Sequence, residues 1–185
     1  PWARNYVGDK MLEIETIDKE EFLKLYKPFG YDEAILLDKD SLSYLAAPSE
    51  DLWILMLDTS KYERNKMLTA PEMGGVISSK TLKWIEECSS LAKENNAEIV
   101  AVMHHSLMDH SEVINENYTV DNNQEVIDTL IKCDIQIILS GHIHIQDIKY
   151  FKNDDNTIYD IATSCLASYP NQYGILEFSP NKGYN

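Results

Sequence analysis

Cysteine, glycine, proline and positive charge are all scarce in this chain, and each shortage excludes something. Cys88, Cys133 and Cys165 stand far apart with no Cys-x-x-Cys pair. Neither a disulfide framework nor a cysteine zinc site is supported, which leaves free, mostly buried thiols. Seven glycines and six prolines, with 44% apolar and 25% charged residues, are not the composition of a disordered or linker-rich chain. They fit a soluble globular one. Lysine and arginine number 16 against 31 aspartates and glutamates, a formal net charge of -15. A surface that acidic repels duplex phosphates, so no binding of nucleic-acid duplexes by counterion release is expected. Phosphate chemistry on such a chain needs cations supplied as bound metal. No apolar run approaches the ~18 residues of a membrane helix, and no signal peptide opens the chain. Beginning at Pro1-Trp2-Ala3-Arg4 without methionine, the sequence reads as an interior segment, and its cellular location is left open. Gly74-Gly75 lacks the lysine context of a phosphate loop.

The 185 residues suit one domain, or a fragment of one, better than two. Asp18 with Glu21 forms a capping box for a helix that Pro28-Phe29-Gly30 ends. "EAILLD" is extended, and "SLSYLAA" and "DLWILMLDT", joined by Pro48-Ser49-Glu50, predict an antiparallel hairpin. Behind serine caps, Leu82, Ile85, Cys88, Leu91 and Ala92 recur at helical spacing, and Ala97 to Met103 reads as a buried strand. Asp121 with Gln124 is expected to cap a second helix whose face is Val126, Ile127, Leu130 and Ile131. "DIQIILS" follows as another buried strand, completing a βαβ unit. "QDIKYF" and "TIYDIATS" around "NDDN" predict a hairpin, and "YGILEF" a last strand. The fold class is α+β, a mixed α/β arrangement with parallel strands in the second half and hairpins around them.

Four of the five histidines fall where two apolar runs end, in "AVMHH" and "SGHIH". Strands joined by a helical crossover run parallel, so their C-terminal ends open on one edge of the sheet, where ligands of open α/β sheets bind. His104, His105, His142 and His144 would then share one crevice. His142 and His144, one residue apart in an extended turn behind Gly141, would point the same way. Converging imidazoles fit a divalent ion such as Zn, Mn or Fe. Any one of them alone is more simply a core or surface residue. His110 and the acids Asp109 and Glu112 read as solvated loop residues, and Asp58-Thr59 as a turn or an orienting pair at a strand end.

At these residues the sequence resembles the calcineurin-like metallophosphoesterase family, over the region from Leu52 to the C-terminus. The resemblance implies a two-layer β sandwich flanked by helices and two metal ions bridged by an aspartate and a hydroxide. It implies that His104 and His142 bind one metal and His144 the other, with His105 beside them as a catalytic, transition-state contact. The family's N-terminal motifs, Asp-x-His, a Gly-Asp with the bridging carboxylate, and Gly-Asn-His, are absent. Gly8-Asp9 does not replace them, since no apolar strand precedes it, and "PWARNY" is similar to the stretch that follows Gly-Asn-His.

The chain therefore reads as the C-terminal part of the sandwich: residues 1–50 a cap or connecting segment, with the helix from Asp18 to Lys27 in it, and residues 51–185 the C-terminal half. The expected parent is a hydrolase, a metal-dependent phosphatase or phosphodiesterase acting on a phosphate ester. Without the bridging carboxylate two cations lose the anion that offsets their repulsion, so this chain alone should bind at most one metal, weakly, and hydrolyse little. Unpaired sheet edges would favour self-association. Two rivals stand beside this reading: a mononuclear zinc hydrolase on His104, His142 and His144, and a non-catalytic binding scaffold on the same fold.

Overall fold

The computed structural model describes residues 3–63, 71–153, 155–180 and 183–184. The chain opens with an antiparallel hairpin, β1 (Ala3–Val7) and β2 (Lys10–Ile14), turned at Gly8-Asp9. Gly8 there adopts φ +59, a conformation that glycine takes without steric cost. Sequence patterning missed this hairpin because its residues are exposed, with no inward face to alternate.

Helix α1 (Lys19–Tyr26) begins at the expected capping box: Asp18 accepts from the Glu21 amide, and the Glu21 carboxylate accepts from the Asp18 amide. A 3-10 turn over Lys27–Phe29 ends it at Gly30. β3 (Ala34–Leu37) and β4 (Tyr44–Ala46) then lead by antiparallel pairing into β5 (Leu52–Leu57). In β5, Trp53, Leu55 and Leu57 are buried and alternate with half-buried Leu52, Ile54 and Met56. That period of two is the signature of a strand with one face on a core.

Helix α2 (Ser79–Glu94) starts where the Ser78 hydroxyl accepts from the Thr81 amide, and it buries Trp84, Ile85, Cys88 and Ala92. β6 (Glu98–Met103) follows, with Ile99, Val100 and Ala101 all buried, as expected of a strand covered on both faces. Helix α3 (Asn123–Cys133) buries Val126, Ile127, Leu130 and Cys133. The capping pair expected at Asp121 and Gln124 does not form. Asn122 is the cap residue and its amide is drawn to the backbone of Ile77, while Asp121 pairs with Lys61.

β7 (Ile137–Ser140) follows, then β8 (Asp147–Lys152) and β9 (Thr157–Ala162) as an antiparallel pair. The seven strands from β3 to β9 form one sheet in the order β3-β4-β5-β6-β7-β9-β8, with β5, β6, β7 and β9 parallel. The sheet therefore runs across residue 50. Successive right-handed crossovers that step the same way put their helices on the same face, and α2 packs there against α3, the Ser89 hydroxyl donating to the Cys133 carbonyl at 2.8 Å.

A strand across "YGILEF" is not present: only β10 (Phe178–Ser179) and β11 (Gly183–Tyr184) pair near the end, and Tyr173 and Ile175 are exposed. Apolar residues with nothing to pack against gain nothing from extension. Among the described residues there are one main seven-stranded sheet and two two-stranded ones, and no helix long and apolar enough to cross a membrane. Cys88, Cys133 and Cys165 are free.

Candidate metal centre

Because β6 and β7 lie side by side and parallel, with Val102 opposite Leu139, their C-terminal ends open together. His104 and His105 leave one end and His142 leaves the other. The Gly141 amide donates to the His104 carbonyl at 3.0 Å, locking the two turns to each other. Nε2 of His104 and Nδ1 of His142 then meet at 2.8 Å, and the rings of His104, His105 and His142 have centroids 4.6 to 5.2 Å apart.

The turn after β7 is not the extended one expected. His142 has φ +64 and His144 φ +57, both left-handed, while Gly141 is not in that region. A non-glycine residue there costs about 1–3 kcal/mol, a strain that clusters at ligand-holding sites. His144 is exposed and near enough to oppose charge on both His104 and His142, but it joins no ring contact. Among the described residues, no three His, Cys, Asp or Glu side chains are arranged to hold one ion.

His105 is buried, and both ring nitrogens are engaged. A carbonyl can only accept, so Nε2 carries the proton that goes to the Met73 carbonyl at 2.8 Å. Nδ1 then accepts from the Thr59 hydroxyl at 2.7 Å. Of the Asp58-Thr59 pair it is thus the threonine that orients the ring. Asp58 holds its own turn, accepting from the Ser60 amide and the Tyr62 hydroxyl.

Three imidazoles have their pKa lowered, which favours the neutral form. Loss of hydration is the main cause for each. His104 is lowered further by His142, His105 and His144; His142 by His105, against the pull of the Asn117 carbonyl; and in His105 the Met73 carbonyl works against the lowering. Neutral imidazole is the metal-ligating form. The Tyr118 ring lies 4.8 Å from the His142 ring.

His110 is not the solvated loop residue expected from its setting. It is 8% exposed, with Nδ1 3.0 Å from an Asp147 oxygen and Nε2 3.1 Å from an Asp160 oxygen. Burial opposes its charge, yet the two carboxylates outweigh burial and raise its pKa. Asp109, by contrast, is exposed as expected, and accepts from the Thr119 hydroxyl at 2.5 Å. Asp160, fully buried in β9, escaped the sequence reading. It accepts from the amides of Leu107 and Met108 and from the Ser140 hydroxyl. Its signal was a carboxylate at an inward position between Ile158 and Ala162, where an apolar residue would be expected.

In comparison with known proteins, no family model matches and no curated protein matches. Among solved structures, the chain is similar to the crystal structure of a dimetal phosphatase from Danio rerio, with a TM-score of 0.55 at 13% identity, covering 91% of this chain and 60% of that one. The likeness shows a metallophosphoesterase-like fold, and this chain spans 60% of that chain's length.

Proposed function

We propose that His104 and His142 are ligands of a divalent metal in a centre that hydrolyses phosphate esters. The observation that carries this reading is the meeting of their two ring nitrogens at 2.8 Å from the ends of adjacent parallel strands. About 2.0–2.1 Å from an ion is the ligand distance for imidazole nitrogen, so two such nitrogens can lie about 3 Å apart on one cation. The donors fit the group: imidazole nitrogen is a common ligand of divalent ions, and the lowered pKa of both rings favours the neutral, ligating form.

His144 stands beside them for a second ion, and His105 backs both rings. Bound metal would polarise the phosphoryl oxygens and supply the positive charge that a chain of net charge -15 otherwise lacks. A two-metal centre would need further donors beside His104, His142 and His144. The fold likeness to a dimetal phosphatase supports the coarser reading of a phosphoesterase.

A cleft of about 820 Å³ lies between α1 and the C-terminal end of β5, walled by Phe22, Tyr31, Met56 and Tyr62 and reaching Asp58, next to Thr59. Its position beside the helix at Asp18 supports a cap role for that helix, and its apolar wall would suit the alcohol portion of an ester.

The test is hydrolysis of a chromogenic phosphate ester with added Mn²⁺, by this chain and by its longest natural form. Turnover that needs the metal and vanishes in His142→Ala supports the reading. Turnover that survives chelation refutes it, and inactivity of both forms despite bound metal leaves the binding scaffold as the better account.

A further inference from the structure

We propose that Asp160 is a positioning residue that sets the two histidine-bearing turns in register. Its carboxylate, 0% exposed, lies at the centre of β9, one strand removed from β6, yet touches both turns. Oδ2 accepts from the Leu107 amide at 2.7 Å and the Met108 amide at 2.8 Å, fixing the loop that leaves β6 through His104 and His105. Oδ1 accepts from the Ser140 hydroxyl at 2.6 Å, fixing the last residue of β7 before Gly141 and His142. Ser140 also reaches the Ser106 hydroxyl at 3.3 Å, so the two turns are bonded through the carboxylate and beside it. His110 closes the unit by standing between Asp160 and Asp147, and Asp147 starts the strand that follows His144.

The chemistry of the neighbours explains why the residue is an acid. The two loop amides can only donate, and the serine donates in this arrangement, so a group with two accepting oxygens is needed. Burying a carboxylate is unfavourable unless its lone pairs are met, and here both oxygens are met by groups from the two turns. A neutral apolar residue would pack the position equally well but would leave two buried amides without partners. What the carboxylate supplies is a common anchor for His104 and His142, whose separation of 2.8 Å no single strand could set.

The inference rests on the metal-centre reading only for its catalytic consequence, because the positions of the rings can be read without metal. The test uses the metal-free protein and imidazole ¹H–¹⁵N NMR spectra of His104 and His142, in Asp160→Asn and Ser140→Ala. Asparagine must turn its NH2 towards either the loop amides or Ser140, and Ser140→Ala removes one tie alone, so the second variant remains informative if the first folds poorly. Leu130→Ala, a buried change in α3 away from both turns, is the control for lost stability. The expected result is displaced His104 and His142 signals in both variants and undisturbed ones in the control, with divalent-metal affinity reduced about tenfold or more in Asp160→Asn. Unchanged imidazole signals in Ser140→Ala, or equal displacement in Leu130→Ala, would overturn the proposal. If the signals move but no form of the protein hydrolyses a phosphate ester, the positioning role stands and the phosphoesterase reading falls.

Discussion

Gly75 packs face to face with His105, and a Cβ added there would stand 2.5 Å from Cγ and Nδ1 of the ring. The ring cannot retreat, since Thr59 and Met73 hold both its nitrogens. Gly75→Ala is therefore expected to lower stability by about 1–3 kcal/mol, the usual cost of overpacking, measurable as a fall in the urea midpoint. An unchanged midpoint would mean that His105 is less firmly held than its two hydrogen bonds suggest. At this scale the sequence was only partly legible. Which histidines end which strands could be read from apolar runs, and so could the meeting of His104, His105 and His142, but not the exposed placement of His144 outside their ring contacts. The partners of those histidines could not, because Thr59 reaches His105 across 46 positions and Asp160 reaches Leu107 across 53, separations that no local pattern encodes. His110 was misread for the same reason: nothing near it in sequence shows the two acids that bury it.

Helices and strands were far more legible, because their signals are local and periodic. The Asp18–Glu21 capping box, the apolar face of α2 and the βαβ unit from β6 to β7 all form as their spacing implies. The failures have physical reasons too. Asp121 and Gln124 carry the letters of a capping box, but Lys61 and the backbone of Ile77 compete for the residues at that helix start. "YGILEF" has strand composition and no neighbouring strand to pair with. At the start of α2, Ser78→Ala removes the acceptor for the Thr81 amide and should cost about 1 kcal/mol in denaturant unfolding. Thr81 itself donates to the buried Asp38 at 2.7 Å, so Thr81→Val should cost more than the cap, by leaving that acid short of a donor.

Over the whole molecule, the titration of the histidines gives stability a definite pH dependence. His104, His105 and His142 are all shifted below their ordinary 6.5. The unfolded chain then binds more protons than the folded one just beneath that value, so stability falls as pH drops through it. His110 is raised, so its contribution is complete below 6.5 and is lost as pH climbs through its folded value. Three groups outweigh one, and they act in the lower window. The urea midpoint of the metal-free protein should fall between about pH 7 and about pH 5.5, before ordinary carboxylates titrate, and His105→Gln should flatten that fall. A midpoint that rises on acidification would contradict the neutral state assigned to these rings.

Helices α2 and α3 cover one face of the main sheet, while on the other Leu37, Tyr159, Ile148 and Tyr150 stay exposed. On the proposed reading, a strongly anionic chain of charge -15 would gather imidazole nitrogens at one edge of its main sheet, where a cation could offset that charge. The most direct measurement is a calorimetric titration of the chelator-treated protein with Zn²⁺ or Mn²⁺, run on the unaltered chain, His104→Ala, His142→Ala and the double variant. One shared ion requires each single change to weaken binding by about tenfold or more, with the double variant little worse than either. Full affinity in either single variant would mean that the two imidazoles do not hold a metal together.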